Sequence, residues 1–199
     1  MSISRTHVLI AATAAVLFAA GCSTDSTTTH PAEHTSPVTT SAAASTDFNA
    51  ADVSFLRMMY PHHAQAVEMA KIVPSHTQNQ RLIALAAQVE KAQAPEMRQI
   101  TDLLAGFGEP APSATEDHAG HDMPGMMTDA QMSDLRAANG AEFDRQWLTM
   151  MIAHHEGAVA MAEAELNAGV NPPSRQLATA IVADQEAEIT TMRGMLEQN

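Results

Sequence analysis

Phe55-Leu56-Arg57-Met58-Met59-Tyr60-Pro61-His62-His63 runs on into Ala66-Val67 and Met69-Ala70. Trp147-Leu148-Thr149-Met150-Met151-Ile152-Ala153-His154-His155 runs on into Ala158-Val159 and Met161-Ala162. The second stretch repeats the first at a constant offset of 92 (150 − 58, 154 − 62, 161 − 69). Within the first, Val53, Leu56, Met59, His63, Val67 and Ala70 recur at three- and four-residue steps, as one buried helix face requires. Pro61 removes a backbone donor from that helix and is expected to kink it beside the histidines. The offset extends outward: Asp52 matches Asp144, Leu85-Ala86 matches Leu177-Ala178, Gln93 matches Gln185, Glu96 matches Glu188 and Leu104 matches Leu196.

Each half therefore reads as a helix hairpin. The expected helices run from about residue 50 to 73, 80 to 105, 128 to 168 with Asn139-Gly140 marking a break, and 172 to 196. Asn49 with Asp52, Thr128 with Asp129, and Asn171 before Pro172 suit helix starts, and Gly169 suits a helix end. No strand-like alternation of any length occurs. One amphipathic hairpin cannot cover its own apolar face, so the pattern predicts an all-α fold. Two pseudo-symmetric hairpins would pack into a four-helix bundle.

The N-terminus reads as a targeting segment. Residues 8–20 are apolar but short for a membrane span, and they end in Ala19-Ala20-Gly21-Cys22. Cys22 is the only cysteine, so it has no disulfide partner within the chain. The expectation is a lipoprotein signal peptide over residues 1–21, lipidation at Cys22 and a place on the outer face of the cytoplasmic membrane. An ordinary secretory signal or an uncleaved anchor is the plainer alternative. Residues 22–46, rich in Ser, Thr, Ala and Pro, read as a disordered tether. Residues 47–199 form the helical domain, in halves 47–105 and 128–199 joined by a Gly/Pro-rich linker, 106–127. The net charge of −13 argues against a nucleic-acid partner, since phosphate binding needs a basic face.

The chemistry sits in the repeat. Met58, His62 and Met69, like Met150, His154 and Met161, lie close to one helix stripe. Met59 with His63 and Met151 with His155 form a second stripe. Thioether and imidazole together suit a soft metal ion, Cu(I) above all and Ag(I) beside it. Packing alone explains Met as a core filler and His as a hydrogen-bonded core residue, yet packing does not demand Met-Met and His-His twice. Common ancestry of the halves preserves some identity by default. The linker adds His118, His121, Met123, Met126 and Met127, where docking onto the domain is the alternative to metal binding. Glu96 and Glu188 are candidates to fix histidine tautomers from behind, or else are solvated. A di-iron Glu-x-x-His motif is absent, as are nucleophile–base, P-loop and dinucleotide patterns, so no enzymatic role is expected.

Asp52-Val53-x-Phe55, Met58-Met59-x-Pro61-His62-His63-x-Gln65-Ala66, Met123-Pro124-Gly125-Met126-Met127, Phe143-Asp144 and Met150-Met151-Ile152-x-His154-His155-x-Gly157-Ala158 together resemble the DUF305 family over residues 47–196. The resemblance implies a ferritin-like helical bundle. In some members, of the CopM type, it implies copper or silver handling. The expected function is Cu(I) or Ag(I) sequestration or handover to a partner protein at the cell envelope. The alternative is a structural or interaction module without a metal role.

Overall fold

The computed structural model describes residues 47–114 and 123–198. These form five helices: α1 Ala50–His76, α2 Gln80–Gly106, α3 Asp129–Ala137, α4 Gly140–Ala168 and α5 Pro172–Leu196. Among the described residues there is no strand. Cys22, His118, His121 and the expected signal and tether lie outside the described residues.

Helix starts follow local chemistry. Asn49 caps α1 through its side-chain oxygen, and Asp52 returns the bond to the Asn49 N–H at 2.7 Å, completing a capping box. Thr128 and Gln131 do the same for α3. Asn79 and Asn171 cap α2 and α5, with Pro172 at the first position of α5.

The expected break at Asn139-Gly140 divides the segment from residue 128 to 168 into two helices, because Asn139 is extended and Gly140 stands at φ +57, a left-handed conformation that a helix cannot pass through. One expectation needs correction. The first helix continues past Val73 to His76, carrying Pro61 and Pro74 within it.

Helix α1 packs along α2, α4 along α5, and α1 against α4, while α3 rests on α4. Two carboxylates tie one hairpin to the other. Asp52 on α1 accepts the Asn171 N–H at 2.9 Å, and Asp144 on α4 accepts from the Asn79 side chain at 2.8 Å. Trp147, fully buried, donates its indole N–H to the Met69 carbonyl at 2.9 Å. The apolar interior falls into two groups. One holds Met69, Trp147 and Met151; the other holds Phe55, Met59 and Met161. Trp147 and Phe55 are repeat equivalents, as are Met151 and Met59, and Met161 and Met69, so the two groups mirror each other.

Candidate metal centre

His62 and His63 sit on α1, His154 and His155 on α4, and all four are sealed from solvent. Neighbouring residues on a helix point about 100° apart, so each pair divides its tasks. His62 and His154 face each other across the α1–α4 contact with ring centroids 3.7 Å apart and planes tilted by 37°. His63 and His155 turn instead to the partner helix of their own hairpin. His63 Nε2 donates to Glu96 on α2 at 2.7 Å, and His155 Nε2 donates to Glu188 on α5 at 2.7 Å.

These contacts fix where the lone pairs are. A carboxylate or a carbonyl only accepts, so the ring nitrogen facing it carries the proton. His62 Nε2 faces the Pro124 carbonyl at 3.0 Å. At His62, His63 and His155 the proton therefore sits on Nε2, and each Nδ1 is buried without a hydrogen-bond partner. Neither ring nitrogen of His154 has such a partner. Burial, reinforced by repulsion from His63 and His155, takes His62 down to about 3, against the opposing pull of the Pro124 carbonyl. Burial, with the other three histidines around it, holds His154 well below the ordinary imidazole value. Burial thus favours the neutral form of both rings, and His62 keeps its lone pair down to about pH 3.

Sequence reading gave no role to several groups around this core. Gln93 and Gln185 are buried repeat equivalents, each three residues before a bridging glutamate. Gln93 leaves both amide atoms unpartnered and Gln185 its oxygen. Their placement at equivalent buried positions in both hairpins was the available signal. A strap over residues 123–127 closes the His62 side. Both arms of the Gln65 amide hold Met127, by its carbonyl at 2.8 Å and its N–H at 2.7 Å. Gly157 allows the strap in, since a Cβ there would stand 1.9 Å from the Pro124 carbonyl oxygen. Glu165 is also buried, beside Asp52, at the repeat position filled by Val73 in the first hairpin. Burial and the neighbouring Asp52 carboxylate push it up to about 8.

The methionines divide. Met59 and Met161 are buried in one apolar group, with half-buried Met58 against it. Met69 and Met151 are buried in the other, with half-buried Met150 and Met127 against it. Met123 and Met126 lie half-buried in the strap. The histidines thus form the centre and the thioethers flank it. Among the described residues, no three His, Cys, Asp or Glu side chains already stand as a closed metal cage.

The model of DUF305, a domain of unknown function, matches residues 52–196. The chain belongs to the DUF305 family. DUF305 proteins of known structure share its architecture. The fragment from Deinococcus radiodurans is 34% identical with a TM-score of 0.68, covering 76% of this chain and 98% of that one. The protein from Streptomyces coelicolor is 33% identical with a TM-score of 0.68, covering 74% and 93%. CopM in its Cu(II)-bound form is 30% identical with a TM-score of 0.65, covering 74% and 96%, and CopM is also known in Cu(I)- and Ag-bound forms. An uncharacterized protein of Acanthamoeba polyphaga mimivirus is 38% identical over 55 residues, which is 28% of this chain and about a third (36%) of that protein's length.

Proposed function

We propose that this DUF305 protein holds a soft monovalent metal ion, Cu(I) first and Ag(I) second, for sequestration or for handover to a partner protein outside the cytoplasm. The observation that carries the reading is the set of Nδ1 lone pairs at His62, His63 and His155, buried and unpartnered while the opposite nitrogens are tied down. An unsatisfied buried acceptor costs about 1–3 kcal/mol, and a ligand that takes the lone pair removes the cost. Glu96 and Glu188 fix the ring orientation and raise the basicity of the coordinating nitrogen, as carboxylates behind metal-bound histidines do. The donor types fit the ion: imidazole at the centre, with Met59 and Met151, four residues before His63 and His155 on the same helices, as candidates among the thioethers. CopM, solved with Cu(I), Cu(II) and Ag, supports the same choice of metal.

In this reading the four long helices form a bundle of two pseudo-symmetric hairpins, and the role is holding and transfer rather than catalysis. Cys22 carries the lipid that tethers the domain to the membrane face. The linker residues His118, His121, Met123, Met126 and Met127 supply further imidazole and thioether donors for the same ions.

The complete burial of all four rings, without a closed cage, favours a second reading in which the histidines only pack and orient helices. Titration of Cu(I) against a competing chelator at pH 7 and pH 5 separates the two. Binding at both values supports the metal reading, because His62 stays neutral at pH 5. No binding at either value removes it. Joint substitution of His62, His63, His154 and His155 gives the complementary result: loss of metal with the helices intact, rather than collapse with no effect on metal.

A further inference from the structure

We propose a second soft-cation site, separate from the histidine centre, where the N-terminal part of α1 meets the C-terminal part of α4. Met58, Met161 and Glu165 line one cavity of about 140 Å³ there, with Phe55 as its apolar wall. The proposal rests on the reading that this chain binds Cu(I) or Ag(I), and it adds a second place for the ion.

Three observations converge on it. The cavity presents two thioethers, the ligand type that selects Cu(I) and Ag(I) over harder ions. The Glu165 carboxyl is 1% exposed, lines the same cavity, and has the Asp52 carboxyl as its one hydrogen-bonding neighbour, with no cation paired to it. A buried monocation needs a counter-charge, and the Glu165 acid supplies one by releasing its proton to solvent as the ion enters. Finally, the carboxyl is a departure from the repeat. The equivalent position in the first hairpin is Val73, fully buried in hydrocarbon, and the equivalent of Gly169 is Thr77. Gly169 is small for a reason, since a Cβ there would stand 2.1 Å from a Glu165 oxygen. The two hairpins therefore differ at both positions, and the second holds an acid where the first holds hydrocarbon. Exposed Ser54, Ala164 and Ala168 leave the mouth of the cavity narrow but open. Charged neighbours are Asp52 from α1, whose oxygens are held by backbone N–H groups of Asn49, Val170 and Asn171, and Arg175 from α5, which donates to the Leu166 and Gly169 carbonyls.

The test is the number of silver ions the full chain retains in native mass spectrometry after gel filtration. Met58→Leu with Met161→Leu, and separately Glu165→Gln, each retain one ion fewer than the wild type, with circular dichroism unchanged. The mirror-image pair Met69→Leu with Met150→Leu, where Val73 stands at the position equivalent to Glu165, retains the wild-type number. Unchanged stoichiometry in both the Met58/Met161 and Glu165 variants overturns the proposal, and an equal loss in the Met69/Met150 variant overturns the role given to the carboxylate. A wild type that retains no silver removes the metal reading as a whole. A wild type whose ions are lost only on substituting the histidines removes this second site and leaves the first.

Discussion

His63 Nε2 and Glu96 Oε2 lie 2.7 Å apart, and His155 and Glu188 repeat that contact at the same distance 92 residues later. The carboxylate fixes the proton on Nε2 and leaves Nδ1 as the bare, buried nitrogen. Glu96→Ala and Glu188→Ala should each lower Cu(I) affinity about 10- to 100-fold without unfolding the helices. Chelator competition on the purified variants checks this, and unaltered affinity in both would remove the orienting role.

The buried rings also set the acid stability. His62 has a lowered value in the folded state, about 3 against 6.5. Between those values the unfolded chain binds a proton that the folded chain refuses, so stability is full above pH 6.5 and falls as the pH drops toward 3. The slope is about 1.4 kcal/mol per pH unit for each such proton. Urea unfolding at pH 7, 5 and 4 measures it, and a saturating dose of Ag(I) should flatten the slope by occupying the rings.

Glu165 acts in the opposite direction. Its folded value is raised, about 8 against 4.5, so it contributes its full share below pH 4.5, and that share is lost as the pH rises through 8. Glu165→Gln keeps the shape of the neutral acid. It should match the wild-type melting temperature near pH 4.5 and exceed it increasingly up to about pH 8, as thermal melts in metal-free buffer would register. A constant difference at all pH values would contradict the assignment.

The strap depends on one missing side chain. Gly157→Ala places a Cβ against the Pro124 carbonyl, so the strap must shift and His62 loses its acceptor. A loss of about 1–3 kcal/mol is expected in urea unfolding. Gly194→Ala, in α5 with nothing within 4 Å of the new Cβ, should instead stabilise by up to about 1 kcal/mol through helix propensity.

Much of the fold was legible because its signals are local. The apolar spacing around Met59 and His63, the Asn49–Asp52 and Thr128–Gln131 caps, and Asn171-Pro172 are written in a few adjacent residues. The offset of 92 paired the hairpins. Break points were harder: Asn139-Gly140 ends one helix and starts another because of a backbone angle, which the residue names only permit. At the site, the spacing identified the histidines and pointed to Glu96 and Glu188. It could not say that Met58 and Met69, on one stripe of α1, end in different apolar groups, because that depends on where α4 crosses. Nor could it foresee Pro124, whose carbonyl meets His62 only through a strap 62 residues distant in sequence. Glu165 was visible as an acid on α4 at a position filled by Val73 on α1, and the repeat comparison was the signal for it.

The central claim is that the Nδ1 lone pairs of the buried histidines receive the ion. Long-range nitrogen–proton NMR of uniformly labelled protein, recorded before and after addition of Ag(I), observes those atoms directly. The Nδ1 resonances of His63 and His155 should move on silver binding and show scalar coupling to the silver nucleus, while their Nε2 resonances remain those of protonated, carboxylate-bonded nitrogens. Silver bound in stoichiometric amount with every histidine Nδ1 resonance unmoved would contradict the account.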